Sequence, residues 1–599
     1  MCGIFGIATK VGGRVGVDRV TLERLRDLMA HRGPDGAGAW EGGHVALAHR
    51  RLAVIDLSPA GAQPLGSPEG RGRLVYNGEL YNDAEVRREL AAAGVTCVTA
   101  SDTETVLGAL RTWGLGALSR LRGMYAIGFH DARRETLLLA RDPLGVKPLY
   151  WTRRVAAGVV EVAFASEVRP LLGLPWVTAR PDLVTVSSYL GTIRTTLGRR
   201  TLFEGVSTLL PGEAIEFDLR TDDLRATSRD WWAGDRKTAA EGGEEETRRV
   251  VRDSVRVHLR SDVPTCALLS GGLDSSILAT VAMEELGTLN TYCSGAAGFP
   301  GGAGGDDFEH ARSVADRIGS VHAEAPVTAS LFGERWPAMV EATGLPLSTP
   351  NEVAINEVAR RLRADGKIVT LSGEGADELL GGYEGTVARA AAYVDGGGRD
   401  GGVFHLDDAA WVPREVKGSV LASDVWRGLE GDAVMLEQHR TDFAESAAGG
   451  GDPLEAHLRH LRRVNLAGLL LRLDSATMQA GVEGRTPFAD ARVAAWAEGL
   501  PIGAKFDRGG TGPGRTKVCL RRAFAAQLPA AVATRAKASF PLPFEGWLAA
   551  HGRTLTDSAF AREVFTPEAV STVGERPGEF WRFAWPMINL ARWGGVWWG

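Results

Sequence analysis

The feature that most constrains this 599-residue chain is a change of hydrophobic rhythm partway along it. Up to about residue 205, short apolar runs at 44–49, 73–76, 124–130, 136–140 and 160–165 are punctuated by Gly and Pro, and read as strands. Between them, 20–31, 83–93 and 103–112 carry helical spacing. That mixture predicts an α+β domain built on antiparallel sheets. A charge-rich stretch from Arg220 to Glu246 reads as a solvated connection leading into a helix over 247–259. Beyond it the pattern becomes strand, loop, helix: 265–269, 270–274 and 275–286, then 367–371, 372–376 and a helix from Asp377. Such alternation favours a parallel sheet with flanking helices. The expected organisation is a first domain over 2–210, a connection over 211–245 and a second domain over 246–599.

Composition narrows the function classes. Lys+Arg 68 against Asp+Glu 74 leaves a formal net charge of −6, which gives no footprint for nucleic acid or an anionic membrane. No apolar run approaches the roughly 20 residues of a spanning helix, and the first residues lack the basic and apolar regions of a signal peptide. The five cysteines are never spaced as Cys-x-x-Cys, which argues against a disulfide framework or structural zinc. The expectation is a soluble, cytoplasmic protein without nucleic-acid or membrane partners. The tail tryptophans Trp581, Trp585, Trp593, Trp597 and Trp598 are expected as core and interface anchors.

Cys2 is the first candidate for chemistry. If Met1 is removed, Cys2 carries both a thiol and a free α-amino group. A thiol of pKa about 8.5 is mostly protonated at neutral pH and needs a base. An α-amine, of pKa about 7.7–8.0, suits that task and is held nearby by covalent geometry. Around it stand His31-Arg32-Gly33-Pro34-Asp35-Gly36, His49-Arg50-Arg51-Leu52, Gly61-Ala62-Gln63-Pro64-Leu65, Tyr76-Asn77-Gly78-Glu79, Ser101-Asp102-Thr103-Glu104 and Arg141-Asp142-Pro143-Leu144-Gly145-Val146-Lys147-Pro148. In this order they resemble the glutamine amidotransferase domain of the N-terminal-nucleophile class, in the version found in asparagine synthetases. The resemblance implies an α+β four-layer sandwich with Cys2 attacking the glutamine amide. Arg51 would hold the α-carboxylate, Glu79 and Asp102 the α-ammonium, and Asn77 with the Gly78 N–H the oxyanion.

Ser270-Gly271-Gly272-Leu273-Asp274-Ser275-Ser276 lies between a buried strand and a helix. Its glycines let the backbone approach an anion, and its serines and the helix start supply donors. No Gly-Lys-Ser/Thr follows, so it is not a Walker A loop. The pattern resembles the loop of ATP pyrophosphatases, which split ATP between the α- and β-phosphates. Ser372-Gly373-Glu374-Gly375-Ala376-Asp377 is expected at the same sheet edge. Resemblance implies that Asp274 and Asp377 hold Mg²⁺ and that Leu268, Ser294, Ser372 and Gly373 line the adenosine and its phosphate. It also gives Glu374 a part in making or consuming an acyl-adenylate, and Lys517 contact with pyrophosphate. Asp474–Met478, Gly481–Phe488 and Lys537–Phe540 complete the family's landmarks.

The chain is thus expected to adenylate a carboxylate with MgATP and amidate it with ammonia from glutamine, aspartate being the default acceptor. The segment 344–353 departs from the Arg-Ala-Ser-Thr-Pro stretch of asparagine synthetases, which leaves an amidotransferase acting on another carboxylate as the alternative. A degenerate binding or regulatory subunit, or a glutaminase without synthetase activity, stands further off. The resemblance is compatible with a homodimer.

Overall fold

Every residue of the Gly3–Thr9 strand is buried, because both of its faces are covered. Ile4 and Ala8 enter one apolar cluster with Val45, Leu47, Phe164 and Phe217. Phe5 and Ile7, on the opposite face by the two-residue period, enter another with Leu22, Leu25 and Val186. The computed structural model describes residues 2–156, 158–232, 240–297, 305–535 and 542–599. In it, Gly3–Thr9 sits inside an eight-stranded sheet, antiparallel to Val45–Arg51 and Val159–Ala165. A six-stranded sheet faces it across the first cluster and pairs Gly72–Leu80 antiparallel with Gly123–Asp131. Helices Asp83–Ala92 and Asp102–Trp113 cover that sheet through Leu90, Val106 and Leu110. Helices Arg19–Asp27 and Leu183–Thr192 cover the other. The order is helix, sheet, sheet, helix, the four-layer sandwich that the motifs imply.

Two departures from the sequence reading have physical causes. The apolar run ends at Tyr76, yet the strand continues through Asn77, Gly78 and Glu79, because Ala126, Tyr125 and Met124 pair with them. Glu213–Asp218 and Ala226–Asp230, inside the stretch read as a connection, are the last two strands of the six-stranded sheet. The charge there belongs to an edge, since Ala226–Asp230 is exposed throughout. Asp235-Arg236-Lys237 and the landmark Lys537–Phe540 lie outside the described residues.

The second half forms a five-stranded, wholly parallel sheet in the order Val321–Val327, Asn290–Ala296, Thr265–Leu268, Val369–Leu371, Glu483–Arg485. The direction of winding reverses between the third and fourth strands. Ligands of open parallel sheets bind at that reversal, beyond the carboxyl ends of the strands. Register pairs Ala267 with Leu371, so the loops after them, with Ser270 and Ser372, leave the sheet side by side.

The last helix, Trp581–Trp597, ties the segment 344–348 in place. Trp593 and Trp597 donate their indole N–H groups to the Gly344 carbonyl, each at 3.0 Å, and Trp585 donates to Ser348 O at 2.9 Å. Trp585 also stacks on Trp336 with centroids 4.7 Å apart, and Trp593 and Trp597 meet Phe203 of the first half edge-on. The tryptophans therefore act as core and interface anchors, as their composition suggests. Trp585→Ala is expected to cost about 3–5 kcal/mol by cavity formation, and Trp585→Phe, which loses the N–H bond and part of the ring volume, about 2 kcal/mol. Equilibrium urea unfolding of the two variants against the parent measures both.

Candidate functional site

Cys2 begins the Gly3–Thr9 strand and is buried. Its backbone N–H donates to Asn77 Oδ1 at 2.9 Å, joining the two sheets at the nucleophile. Asn77 Nδ2 is buried and makes no hydrogen bond, so an amide donor is left beside the thiol. Burial pushes the Cys2 thiol above its ordinary pKa, while the amino terminus and Arg51 pull the other way. Arg51 closes the Val45–Arg51 strand and is turned onto carbonyls of the loop it precedes, at 2.8 Å to Ser58 O and 3.3 Å to Ile55 O. Asp102, first residue of its helix, accepts the Leu80 N–H at 2.8 Å. Burial raises Asp102 to about 6. Burial, then Glu483 and Asp102, hold the Glu79 carboxyl well above the usual range. Buried carboxyls favour a cation beside them, and Arg485 already stands by Glu79.

The two halves meet through buried charge. Arg32, fully buried, donates Nε to Cys2 O at 3.2 Å, Nη1 to Glu167 at 3.1 Å and Nη2 to Asp474 at 2.7 Å. Lys147 Nζ adds a bond to the other Asp474 oxygen at 3.2 Å. Burial opposes the Arg32 charge, and Asp474 and Glu167 more than restore it, so its pKa is raised. Nearby, Arg485 sits 3.5 Å from Glu79 and 2.6 Å from Glu483, and Arg122 holds Asp490 at 2.9 Å.

At the sheet reversal, Leu268, Ser270, Gly272, Asp274, Ser275, Ser294, Ser372 and Gly373 line one cavity of about 110 Å³ with Glu374, Asp377 and Lys517. Gly271 stands behind it at φ +66°, where a Cβ would meet His310 Cβ at 2.4 Å. The loop needs glycine there for both reasons. Lys517 Nζ lies 2.5 Å from Asp274 Oδ2 and 2.6 Å from Asp377 Oδ1, which draws two carboxylates from the first turns of separate helices onto one point. A Cβ at Gly382 would fall 1.9 Å from Asp377 Oδ1, so this cradle exists only because that residue has no side chain. Two converging hard oxygen donors fit Mg²⁺ chemistry.

Sequence reasoning missed several cations. Arg521, one helical turn beyond Lys517, and Arg535 line the same cavity; Arg535 is held by Asp307 at 2.6 Å. The i,i+4 spacing from Lys517 is the signal that could have found Arg521. Arg472, on the Ala467–Met478 helix, reaches Glu374 at 2.6 Å and Thr349 Oγ1 at 3.2 Å, which places a guanidinium beside segment 344–353. Burial works against the Arg472 charge, but Glu374 and Glu352 raise its pKa.

A nucleophile-headed αββα sandwich joined to a parallel-sheet domain with a phosphate-type loop defines an amidotransferase coupled to a nucleotide-using domain. The chain matches the family model described as glutamine amidotransferase domain over residues 1–232 and that described as asparagine synthase over 246–594. A Mycobacterium tuberculosis protein named putative asparagine synthetase [glutamine-hydrolyzing] is 32% identical, the match covering 92% of this chain and 89% of that one. Asparagine synthetase [glutamine-hydrolyzing] 1 of Bacillus subtilis is 30% identical over 92% and 88%. Amidase chyE of Penicillium rubens is 31% identical over 61% and 55%. The chain belongs to the glutamine-hydrolysing asparagine synthetase family of ligases. Among the described residues no helix is long and apolar enough to cross a membrane.

Two outcomes follow from these charges. Asp474→Ala strands Arg32 and Lys147 in the interface and is expected to cost about 3–5 kcal/mol, read as a lowered urea midpoint. Asp102 is raised in the folded state above the unfolded value of about 3.9, so the native state binds the extra proton and wild-type stability falls as pH rises from about 4 to about 6. Asp102→Asn removes that slope, so the variant is expected to gain on the wild type across this window in urea midpoints.

Proposed function

We propose that this chain releases ammonia from glutamine at Cys2 and uses it to amidate a carboxylate activated by ATP in the second domain. The observation that carries the reading is the single chain of contacts from Cys2 through Arg32 and Asp474 to the helix whose Arg472 holds Glu374. Once Met1 is removed, the Cys2 amine takes the thiol proton and Sγ attacks the glutamine amide carbon. Asn77 Nδ2 and the Gly78 N–H receive the oxyanion, Arg51 takes the α-carboxylate, and Glu79 with Asp102 take the ammonium. Ammonia departs, and water resolves the γ-glutamyl thioester to glutamate.

In the second domain the serine and glycine loop takes the phosphates and Lys517 faces the pyrophosphate. Asp274 and Asp377 would hold Mg²⁺, which neutralises charge developing on the leaving pyrophosphate. An acceptor carboxylate oxygen attacks the α-phosphorus, and pyrophosphate leaves. Ammonia then attacks the acyl carbon and AMP leaves. Passage along the buried interface keeps ammonia from being protonated in bulk water, where ammonium has no lone pair to react.

Aspartate is the acceptor that the named relatives bring to this reading. A second reading, an acceptor larger than aspartate, is favoured by a cavity beyond Arg472 and by the partial relatives named as amidases. Cys2→Ala is expected to lose glutamine-driven amide formation by at least about 10³-fold while keeping ammonium-driven formation with AMP and pyrophosphate as products. Full glutamine-driven turnover in that variant, or ADP and orthophosphate as products, contradicts the reading. Amide mass and nucleotide analysis read both.

A further inference from the structure

Beyond the nucleotide cavity, behind the Arg472–Glu374 pair, lies a second cavity of about 340 Å³. Glu374 lines the first cavity and Arg472 the second, so this ion pair is the partition between them. Thr349 and Glu352 stand beside Arg472 at the near end. Most of the wall is hydrocarbon, from Ile193, Leu345, Leu347, Trp411, Leu469 and Leu471, with the hydroxyls of Thr195, Ser348 and Ser475 between them. They are held firmly, since Leu347 N–H donates to Asn589 at 3.3 Å and the tail tryptophans grip the residues on either side. A water needs about 10–15 Å³ of such space, so the cavity takes a molecule well beyond aspartate in size.

The far end is different in character. Arg194 and Asn465 line both this cavity and a smaller one of about 100 Å³, which His405, His439 and His460 also line. Arg194 donates to Asn465 Oδ1 and, among the described residues, makes no ion pair. Burial lowers its pKa to about 10, which still leaves it charged at neutral pH. Tyr383 and then Asp442 act on it from a distance, and Asp442 is already bound by Arg463 at 2.9 Å. The three histidines are held neutral by burial, His405 and His439 at about 3 and His460 at about 2. Among the described residues, both ring nitrogens of His439 and Nδ1 of His405 are buried without a hydrogen-bond partner, while His460 meets the Asp442 backbone. A cation and unmet imidazole groups around one space are a recognition site for an anion or a strong acceptor.

We propose that the acceptor of this chain is an amphipathic acid with two anionic ends: one carboxylate reacts beside Glu374, an apolar body fills the second cavity, and the far anionic group binds Arg194. Arg194 is then a specificity-determining residue. The inference rests on the ligase reading above and sharpens its acceptor.

The test uses full-length Cys2→Ala protein with MgATP and ammonium, so that glutamine hydrolysis plays no part. Pyrophosphate release and amide mass are followed for aspartate, for adipate, suberate and sebacate, and for the monoacids octanoate and decanoate. At least one longer diacid is expected to exceed aspartate, and its equal-length monoacid, by about 10-fold or more in kcat/KM. Arg194→Ala, added to that protein, should bring the diacid-to-monoacid ratio close to one, and Arg194→Lys should restore part of it. Leu469→Trp, which fills the cavity and leaves Arg194 in place, should depress the longer diacids more than aspartate and keeps the test decisive if Arg194→Ala does not fold. Preference for aspartate over every longer diacid, or a ratio that survives Arg194→Ala, overturns the proposal and leaves the ligase reading standing. Absence of pyrophosphate with every acid, aspartate included, overturns the ligase reading itself.

Discussion

A fully buried guanidinium has to be met by carboxylate, and Arg32 is met from both halves of the chain. Glu167 comes from the first domain and Asp474 from the second, 442 residues along from Arg32. Taking such a charge out of water costs several kcal/mol, and leaving it unpaired costs more. The two domains are therefore held at one docking angle by electrostatic necessity as much as by apolar contact. Because Arg32 also bonds the Cys2 carbonyl, that angle fixes where Cys2 sits relative to the second domain.

The Ala467–Met478 helix carries this constraint across the molecule. Asp474 points it at the first centre, while Arg472, two residues earlier, reaches Glu374 at the second. Residues two apart on a helix face nearly opposite ways, so one rigid element touches both chemistries at once. The tail helix completes the arrangement from outside. Its indole N–H groups satisfy carbonyls of segment 344–348, which would otherwise be buried polar groups without partners. The tail thus shapes the wall of the second cavity.

Much of this was legible in the sequence because its chemistry is local. Ser270, Asp274 and Ser275 come from one tight turn, and their residue types announce a phosphate loop before any coordinate is known. Asn77, Gly78 and Glu79 were found by motif, although the apolar run that predicts their strand stops at Tyr76; pairing with Gly123–Asp131 carries the strand on. What stayed hidden depends on pairings across long stretches of chain. Nothing near Arg472 in sequence says that it meets Glu374 and Thr349, and nothing near Arg194 says that it makes no ion pair among the described residues. The strand Ala226–Asp230 reads as connection because an exposed edge strand shares the composition of loops, whereas Glu213–Asp218 is buried beside it by pairing with the distant Thr136–Arg141.

The central claim is that nitrogen passes from Cys2 to the activated acid within the folded protein. The most direct measurement supplies wild-type protein with glutamine labelled with ¹⁵N in the side-chain amide, in a bath of unlabelled ammonium, together with MgATP, aspartate and the longer diacids. The account predicts amide product carrying ¹⁵N almost throughout. Product whose label simply follows the isotope content of the bath would contradict it.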